Sequence, residues 1–393
     1  MTDDFLSRLM PRIDAGRSRF GETMQKLLRL VRPDLYELLI SCDEQAFLEP
    51  LAFLYFSTEQ REVSLEQVFA GYVAAARRAL RAPVLSDRNG RFYVPRLGYF
   101  NTSLREQELE LIVPADSDAF AVEHDGSAIP YTLEPTTTLP DTSVELCRYP
   151  MLLLDQCFVG ADGQPVAVDI QNAAAAHAQH LAKAMDIIRR VWPSLYEAIV
   201  SSVRRLVIFR SDALNSFATT AAHGAAFFNA ALGDDELFYL EDLAHQCGHV
   251  IFSAATFDAA EHFVVPPTTR MGAFNGQPGD DRSVYVALHG VFTEALMARC
   301  LDAWLAGGRY ERGQHHELEG RLAFILKRFT ADLRPFARAG ILSRAGAELM
   351  SPLHETWQEL AYRHRELVNA SNMSNQGYNF SYRKYAELNP PAV

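Results

Sequence analysis

The sequence is poor in the features that mark several large protein classes. It has only five cysteines, Cys42, Cys147, Cys157, Cys247 and Cys300, in 393 residues. They are scattered, odd in number and contain no CxxC. A disulfide framework is therefore not expected, and a reducing cytoplasm is the expected compartment. Positive charge is also scarce. Lys plus Arg is 37 against 49 for Asp plus Glu, a net charge of −12. No basic excess is available to neutralise phosphates, so neither nucleic acid nor an anionic membrane is an expected partner. No apolar run approaches the length of a membrane span. The opening MTDDFLSRLMPRID reads as neither a signal nor a transit peptide, and the ending ELNPPAV carries no lipidation box. GxSxG, P-loop and GxGxxG motifs are absent. The spacing of jelly-roll iron oxygenases, HxD or HxE, occurs only at His315-His316-Glu317 and His364-Arg365-Glu366. Both lie in predicted helices, where positions i and i+2 point about 200° apart and cannot chelate.

What remains is an ordinary globular composition, 48% hydrophobic and 22% charged, long enough for a large core. From Arg17 to about Arg81 the apolar residues recur at helical spacing. From about Arg91 to Ile170, short β-rich runs (RFYVPRL, LELIVPA, AFAVEH, MLLLDQCFV, QPVAVDI) alternate with turn signals. EPTTTLPDTS reads as an exposed loop and FVGADGQPVAV as a hairpin. Helices return from Ile170, with two strands, Arg205–Arg210 and Ala225–Asn229, set among them. Four longer helices then follow, near 235–255, 281–305, 310–333 and 345–368. The expected fold is α+β. Residues 1–168 form an N-terminal α+β region with a possible role in substrate recognition. Residues 169–393 form a mainly helical, metal-binding catalytic half with a small sheet.

The segment LFYLEDLAHQCGHVIF, residues 237–252, carries the chemistry. His245 and His249 are four residues apart, so they share a helix face and can hold one metal. Leu240, Leu243, Ala244, Cys247 and Ile251 form the core stripe on the other side. The histidine face is flanked by Phe238 and Phe252 and carries no Lys or Arg. None occurs in the 59 residues between Arg210 and Arg270, which hold eight acidic residues. A helix buried on both sides with paired histidines inside needs a partner for them. In the metalloprotease pattern HExxH the Glu is the base that activates metal-bound water. Here that position is Gln246, which accepts no proton at neutral pH, so peptide hydrolysis is disfavoured.

A third ligand is required, and two residues compete. His289 lies on another apolar helix, 40 residues after His249, beside Gly290, which would permit close helix approach. Arg282 and Tyr285 fall on the same face as His289, with Arg282 roughly 10 Å along the axis. A guanidinium there suits the far carboxylate of a metal-chelating dicarboxylate, or equally a helix-start salt bridge with Asp280 or Asp281; Arg270 is a weaker candidate. Glu294 is the alternative ligand, about 140° around the helix from His289. His262 and His223 read as satisfied loop or strand histidines. Tyr378, Phe380 and Tyr382 in the tail either cover the site or pack.

Residues 170 to 345 resemble the HExxH-motif peptide-modification proteins, the α-ketoglutarate-dependent HExxH-type peptide β-hydroxylases. The likeness rests on the helix ending Ala184-Met-Asp-Ile-Ile-Arg-Arg-Val-Trp-Pro193 and the strands Arg205-Leu-Val-Ile-Phe-Arg210 and His223-Gly-Ala-Ala-Phe-Phe-Asn229. It rests above all on the His245/His249 helix followed by Asp281-Arg282 and Leu288-His289-Gly290-Val291. It implies a zincin-like HxxxH helix with Fe(II) bound by His245, His249 and His289. It implies α-ketoglutarate and O₂ as cosubstrates, held with help from Arg282, Arg270 and Tyr285. Hydroxylation at a Cβ of a ribosomally made peptide, or of a related small substrate, is the implied reaction. Gln246 departs from the family's Glu and would act from outside the ligand set, by tuning a ligand. Two other readings stand beside this one. The first is a zinc hydrolase using His245, His249 and Glu294. The second is a non-catalytic, metal-stabilised peptide-binding protein.

Overall fold

A computed structural model describes residues 4–59, 62–117, 119–308, 310, 312–338 and 340–391. The chain opens with helices α1 (Phe5–Val31), α2 (Pro33–Leu39), α3 (Pro50–Ser57) and α4 (Leu65–Ala75). Nine short strands follow: β1 (Leu80–Leu85), β2 (Arg91–Val94), β3 (Gly98–Asn101), β4 (Glu108–Val113), β5 (Ala121–His124), β6 (Ser127–Ile129), β7 (Thr132–Pro135), β8 (Thr137–Thr138) and β9 (Glu145–Leu146). Then come α5 (Leu152–Asp155), α6 (Gln171–Val191), α7 (Pro193–Ser202), β10 (Arg205–Phe209), β11 (Phe217–Ala218) and β12 (Ala225–Asn229). The remainder is helical: α8 (Glu236–Asp242), α9 (Gly248–Ala255), α10 (Val284–Gly307), α11 (Arg312–Arg338), α12 (Arg344–Arg363), α13 (Arg365–Ala370) and α14 (Tyr382–Leu388). The result is a mixed α+β protein in which helices dominate.

The chain forms two compact units. One consists of Ala15–Ala178 and Val200–Leu232, the other of Met1–Asp14, Gln179–Ile199 and Gly233–Val393. The first holds every strand among the described residues, in three sheets with the orders β1-β4-β5-β6, β2-β3-β7 and β11-β12-β10-β9-β8. Alternation explains the first sheet. Leu109, Leu111 and Val113 of β4 are buried while Glu108 and Glu110 point away, and Leu111 pairs with Ala82 and Val122. All five residues of β10 are buried. It is a central strand, parallel to both β12 and β9, and apart from Arg205 it is apolar on both faces as that position demands.

Several sequence expectations are corrected here. The strands at 205 and 225 do not form a separate sheet with the later helices; β10 pairs with β9, at Arg205↔Glu145. MLLLDQCFV is not a strand. It contains α5, with Leu153 and Leu154 buried together although they are adjacent, which a strand would place on opposite faces. The first helical stretch starts earlier than expected, at Phe5, and gives way to β1 at Leu80. EPTTTLPDTS is not wholly loop, since β8 lies inside it; the FVGADGQPVAV hairpin is present as a short antiparallel turn, with the bridge Val159↔Pro165 and the Val166 N–H donating to the Phe158 carbonyl at 2.8 Å.

The second unit is mainly helical, and its described residues outside the helices form loops with two isolated bridges, Phe263↔Leu342 and Arg270↔Ser283. Its centre is α10, packed against α9, α11 and α12. This helix is long and apolar enough to cross a membrane by composition, contrary to the sequence expectation. Its residues are mostly buried against neighbouring helices, as in a core helix. The tail packs on α11. Phe380 meets Phe324 and Tyr385, and a Cβ at Gly320 would stand 2.7 Å from the Tyr385 ring.

Candidate functional site

The histidine segment lies in the helical unit. Asp235 caps α8 by accepting from the Leu237 N–H, as an N-cap residue should. Between α8 and α9 the helix widens into one π turn, Leu243–Cys247, which includes His245 and Gln246. Such turns cost regular hydrogen bonding and recur where side chains are re-aimed for function. Gly248 follows at once. A Cβ there would stand 2.8 Å from Leu296 Cδ1 and 3.2 Å from Thr293 Cγ2 of α10. This glycine therefore lets the two helices meet. Gly290, expected to do so, faces open room, with Asp332 Oδ2 at 3.9 Å its nearest contact.

The close approach gathers three histidine rings. The His245 and His249 centroids are 4.9 Å apart and those of His249 and His289 are 4.2 Å apart. His249 Nδ1 and His289 Nε2 stand 2.7 Å apart in a hydrogen bond, and His289 Nε2 is also 3.2 Å from the His249 carbonyl oxygen. Phe252, fully buried, stacks on His289 at 4.4 Å and lies 5.2 Å from Phe292. Burial holds the His249 pKa well below its ordinary value, with His289 and His245 adding to the effect. Burial likewise brings His289 to about 3. Both rings are thus held neutral, the form that binds metals. His245 is the more open of the group, its side chain 32% exposed.

Behind His245 lies a polar pair. Gln246 is 1% exposed. Its Nε2 is 2.9 Å from Asp242 Oδ1 and 3.0 Å from His245 Nδ1. Asp242 was not singled out in the sequence, although an acid three residues before a histidine on an apolar helix was the available signal.

The other candidates are placed as follows. Tyr285 is 5.9 Å from the His289 ring and 5.5 Å from that of Phe252, and its hydroxyl bonds Thr256 Oγ1 at 3.0 Å. Arg282 does not present a free guanidinium. It pairs with Asp280 and with Asp332, both at 2.9 Å. Arg270 pairs with Asp281 at 2.9 Å and is largely exposed. Glu294 is 2% exposed, with Arg328 Nε 3.4 Å away and neither carboxylate oxygen in a hydrogen bond. Burial and the neighbouring Asp332 raise its pKa well above the carboxylate range. His223 belongs to the sheet-bearing unit, stacked on Phe20 at 3.9 Å. Phe238 is half-buried, with its ring 5.0 Å from that of Tyr239.

Among the described residues, no three His, Cys, Asp or Glu side chains form a ready cage for a metal ion. The donor chemistry nevertheless suits one. Three imidazoles from two helices lie together, two of them held neutral, beside an aromatic wall. Two nitrogens bound to one metal at about 2.1 Å would stand about 3 Å or more apart. The His249–His289 bond would therefore have to open by a few tenths of an ångström. The arginines do not suit a dicarboxylate as they stand, because both are already paired.

No family profile matches the chain, and no curated protein matches it.

Proposed function

We propose that this chain is a non-haem iron oxygenase of the HExxH type, with His245, His249 and His289 as the metal ligands of a zincin-like helix pair. The proposed reaction is hydroxylation of an unactivated carbon, such as the Cβ of a residue in a ribosomally made peptide or in a related small substrate. α-Ketoglutarate and O₂ are the cosubstrates that the resemblance implies. The observation carrying this reading is the meeting of three histidine rings from α9, α10 and the π turn. Bound there, iron would supply the activation of O₂.

The chain's own residues have separate tasks. Phe252 and Phe292 keep water from the ring cluster, and a dry site favours controlled oxidation. His245 faces the more open side, where a substrate would approach. Arg282 would have to exchange Asp332 for a cosubstrate carboxylate, so no step is assigned to it. Gln246 acts on His245 from behind. The sheet-bearing unit, which holds most of residues 1–168, is the proposed recognition element for the peptide.

The zinc hydrolase reading has less support, because Glu294 pairs with Arg328 and Gln246 offers no base. The test is anaerobic Fe(II) loading of the full chain, followed by measurement of succinate from α-ketoglutarate with candidate peptides. Stoichiometric iron, lost in His249→Ala and His289→Ala, together with succinate formation, is expected. Metal uptake with no succinate under any condition would favour the metal-stabilised binding protein instead. Uptake unchanged by both substitutions would end the metal reading.

A further inference from the structure

We propose that Asp242 is a positioning residue for His245: its carboxylate accepts a hydrogen bond from the imidazole Nδ1–H, which keeps that proton, when His245 Nε2 turns to a metal. The proposal rests on the metal reading above and deepens it. Three atoms form a tight triangle. Gln246 Nε2 is 2.9 Å from Asp242 Oδ1 and 3.0 Å from His245 Nδ1, while His245 Nδ1 is 3.6 Å from Asp242 Oδ1. An amide nitrogen has two hydrogens and no acceptor. If it donates one to each neighbour, His245 Nδ1 is the acceptor and the ring proton sits on Nε2. That tautomer cannot offer Nε2 to a metal. Ligation through Nε2 requires the proton on Nδ1, and a buried N–H needs an acceptor.

Asp242 is built to be that acceptor. It is 7% exposed, and its Oδ2 is buried with no hydrogen-bond partner, as is Gln246 Oε1. A buried carboxylate oxygen without a partner is costly, and turning the Asp242 carboxylate towards the ring would bring it into use. Closing the 3.6 Å gap by about half an ångström makes a normal charge-assisted hydrogen bond. The same geometry accounts for Gln246. A Glu in its place would set a second carboxylate beside Asp242 Oδ1, and two acids so close cannot both ionise. Asp242 and Gln246 are thus a matched pair, the amide holding the carboxylate until the His245 Nδ1–H turns to it.

The test uses the full chain with ¹⁵N-labelled histidine. Tautomers are read by NMR before and after Zn(II) addition, and affinity is read from Co(II) titrations followed by visible absorption. The wild type should move His245 from the Nε2–H to the Nδ1–H form on Zn(II) addition. Asp242→Ala should weaken Co(II) binding roughly 10- to 100-fold. Asp242→Asn keeps the shape, should fold normally by near-ultraviolet circular dichroism, and should weaken binding less. An unchanged His245 tautomer overturns the proposal. So does wild-type affinity in both Asp242 variants while His249→Ala binds nothing. If His249→Ala also binds as the wild type does, the metal reading itself has failed.

Discussion

Two buried polar clusters, one in each unit, solve opposite problems. In the sheet-bearing unit Arg205 is fully buried. Its Nη1 meets Glu49 at 2.7 Å and its Nη2 meets Glu145 at 2.7 Å and the Tyr93 hydroxyl at 3.1 Å. Tyr72 donates to the second oxygen of Glu49 at 3.0 Å. Only the Arg205 Nε lacks a partner within that group. Opposite charges meet there, so the cluster holds the sheet to the helices packed on it. In the helical unit like meets like. Histidine bonds histidine, and acceptors on Asp242 and Gln246 go unused. Ring stacking does not separate the two kinds of site, because His223 is stacked as closely as His289. Unfilled hydrogen-bonding capacity beside a partly open ring separates them: the Arg205 cluster serves the fold, and the His245 cluster is the one proposed above to take a ligand.

The comparison can be broken experimentally. Its largest test is Arg205→Met, which strands two buried carboxylates and should cost about 3–5 kcal/mol in chemical denaturation. A loss below about 1 kcal/mol would mean that cluster is not structural. Gly248→Ala comes next, at about 1–3 kcal/mol, because its Cβ enters the space of Leu296 and Thr293. Gly290→Ala, with open room, should be neutral or stabilising by up to about 1 kcal/mol through helix propensity. Equal losses in the two would refute the assignment of the close contact to Gly248. His249→Ala should change stability by only about 1 kcal/mol while removing metal uptake, the reverse of Arg205.

The smallest effect concerns Glu294. Its folded pKa is raised, so above the ordinary carboxylate value the folded state keeps a proton that the unfolded state has lost. Stability from this group therefore falls as pH rises towards the folded value. Glu294→Gln should flatten that slope between pH 5 and pH 8 in thermal melts, and should leave metal uptake unchanged. Lost uptake would return Glu294 to the ligand set.

Much of the secondary structure was legible in the residues themselves. Apolar spacing marked α10 and α11, and the β-rich runs marked β2, β4, β5, β10 and β12. Pro193 marked the end of α6. The four-residue spacing of His245 and His249 singled out their helix, and the apolar face around His289 singled out the second. Other features were not legible. The π turn depends on how α8 and α9 are each held, and no local preference encodes it. The pairing of Arg282 with Asp280 was open to the sequence as a helix-start salt bridge, but its second partner, Asp332, is 50 residues away, on α11. Glu294 looked like a ligand until its contact with Arg328 of α11 was known.

The sequence alone determined the periodicities, the shortage of cations around the histidine helix and the presence of Gln where an acid is usual, since these are properties of neighbouring residues. The tertiary structure decided which glycine lets the helices touch, which arginines are already paired and which acceptors remain unused. Those follow from distances between helices far apart along the chain, set by packing that no local pattern contains.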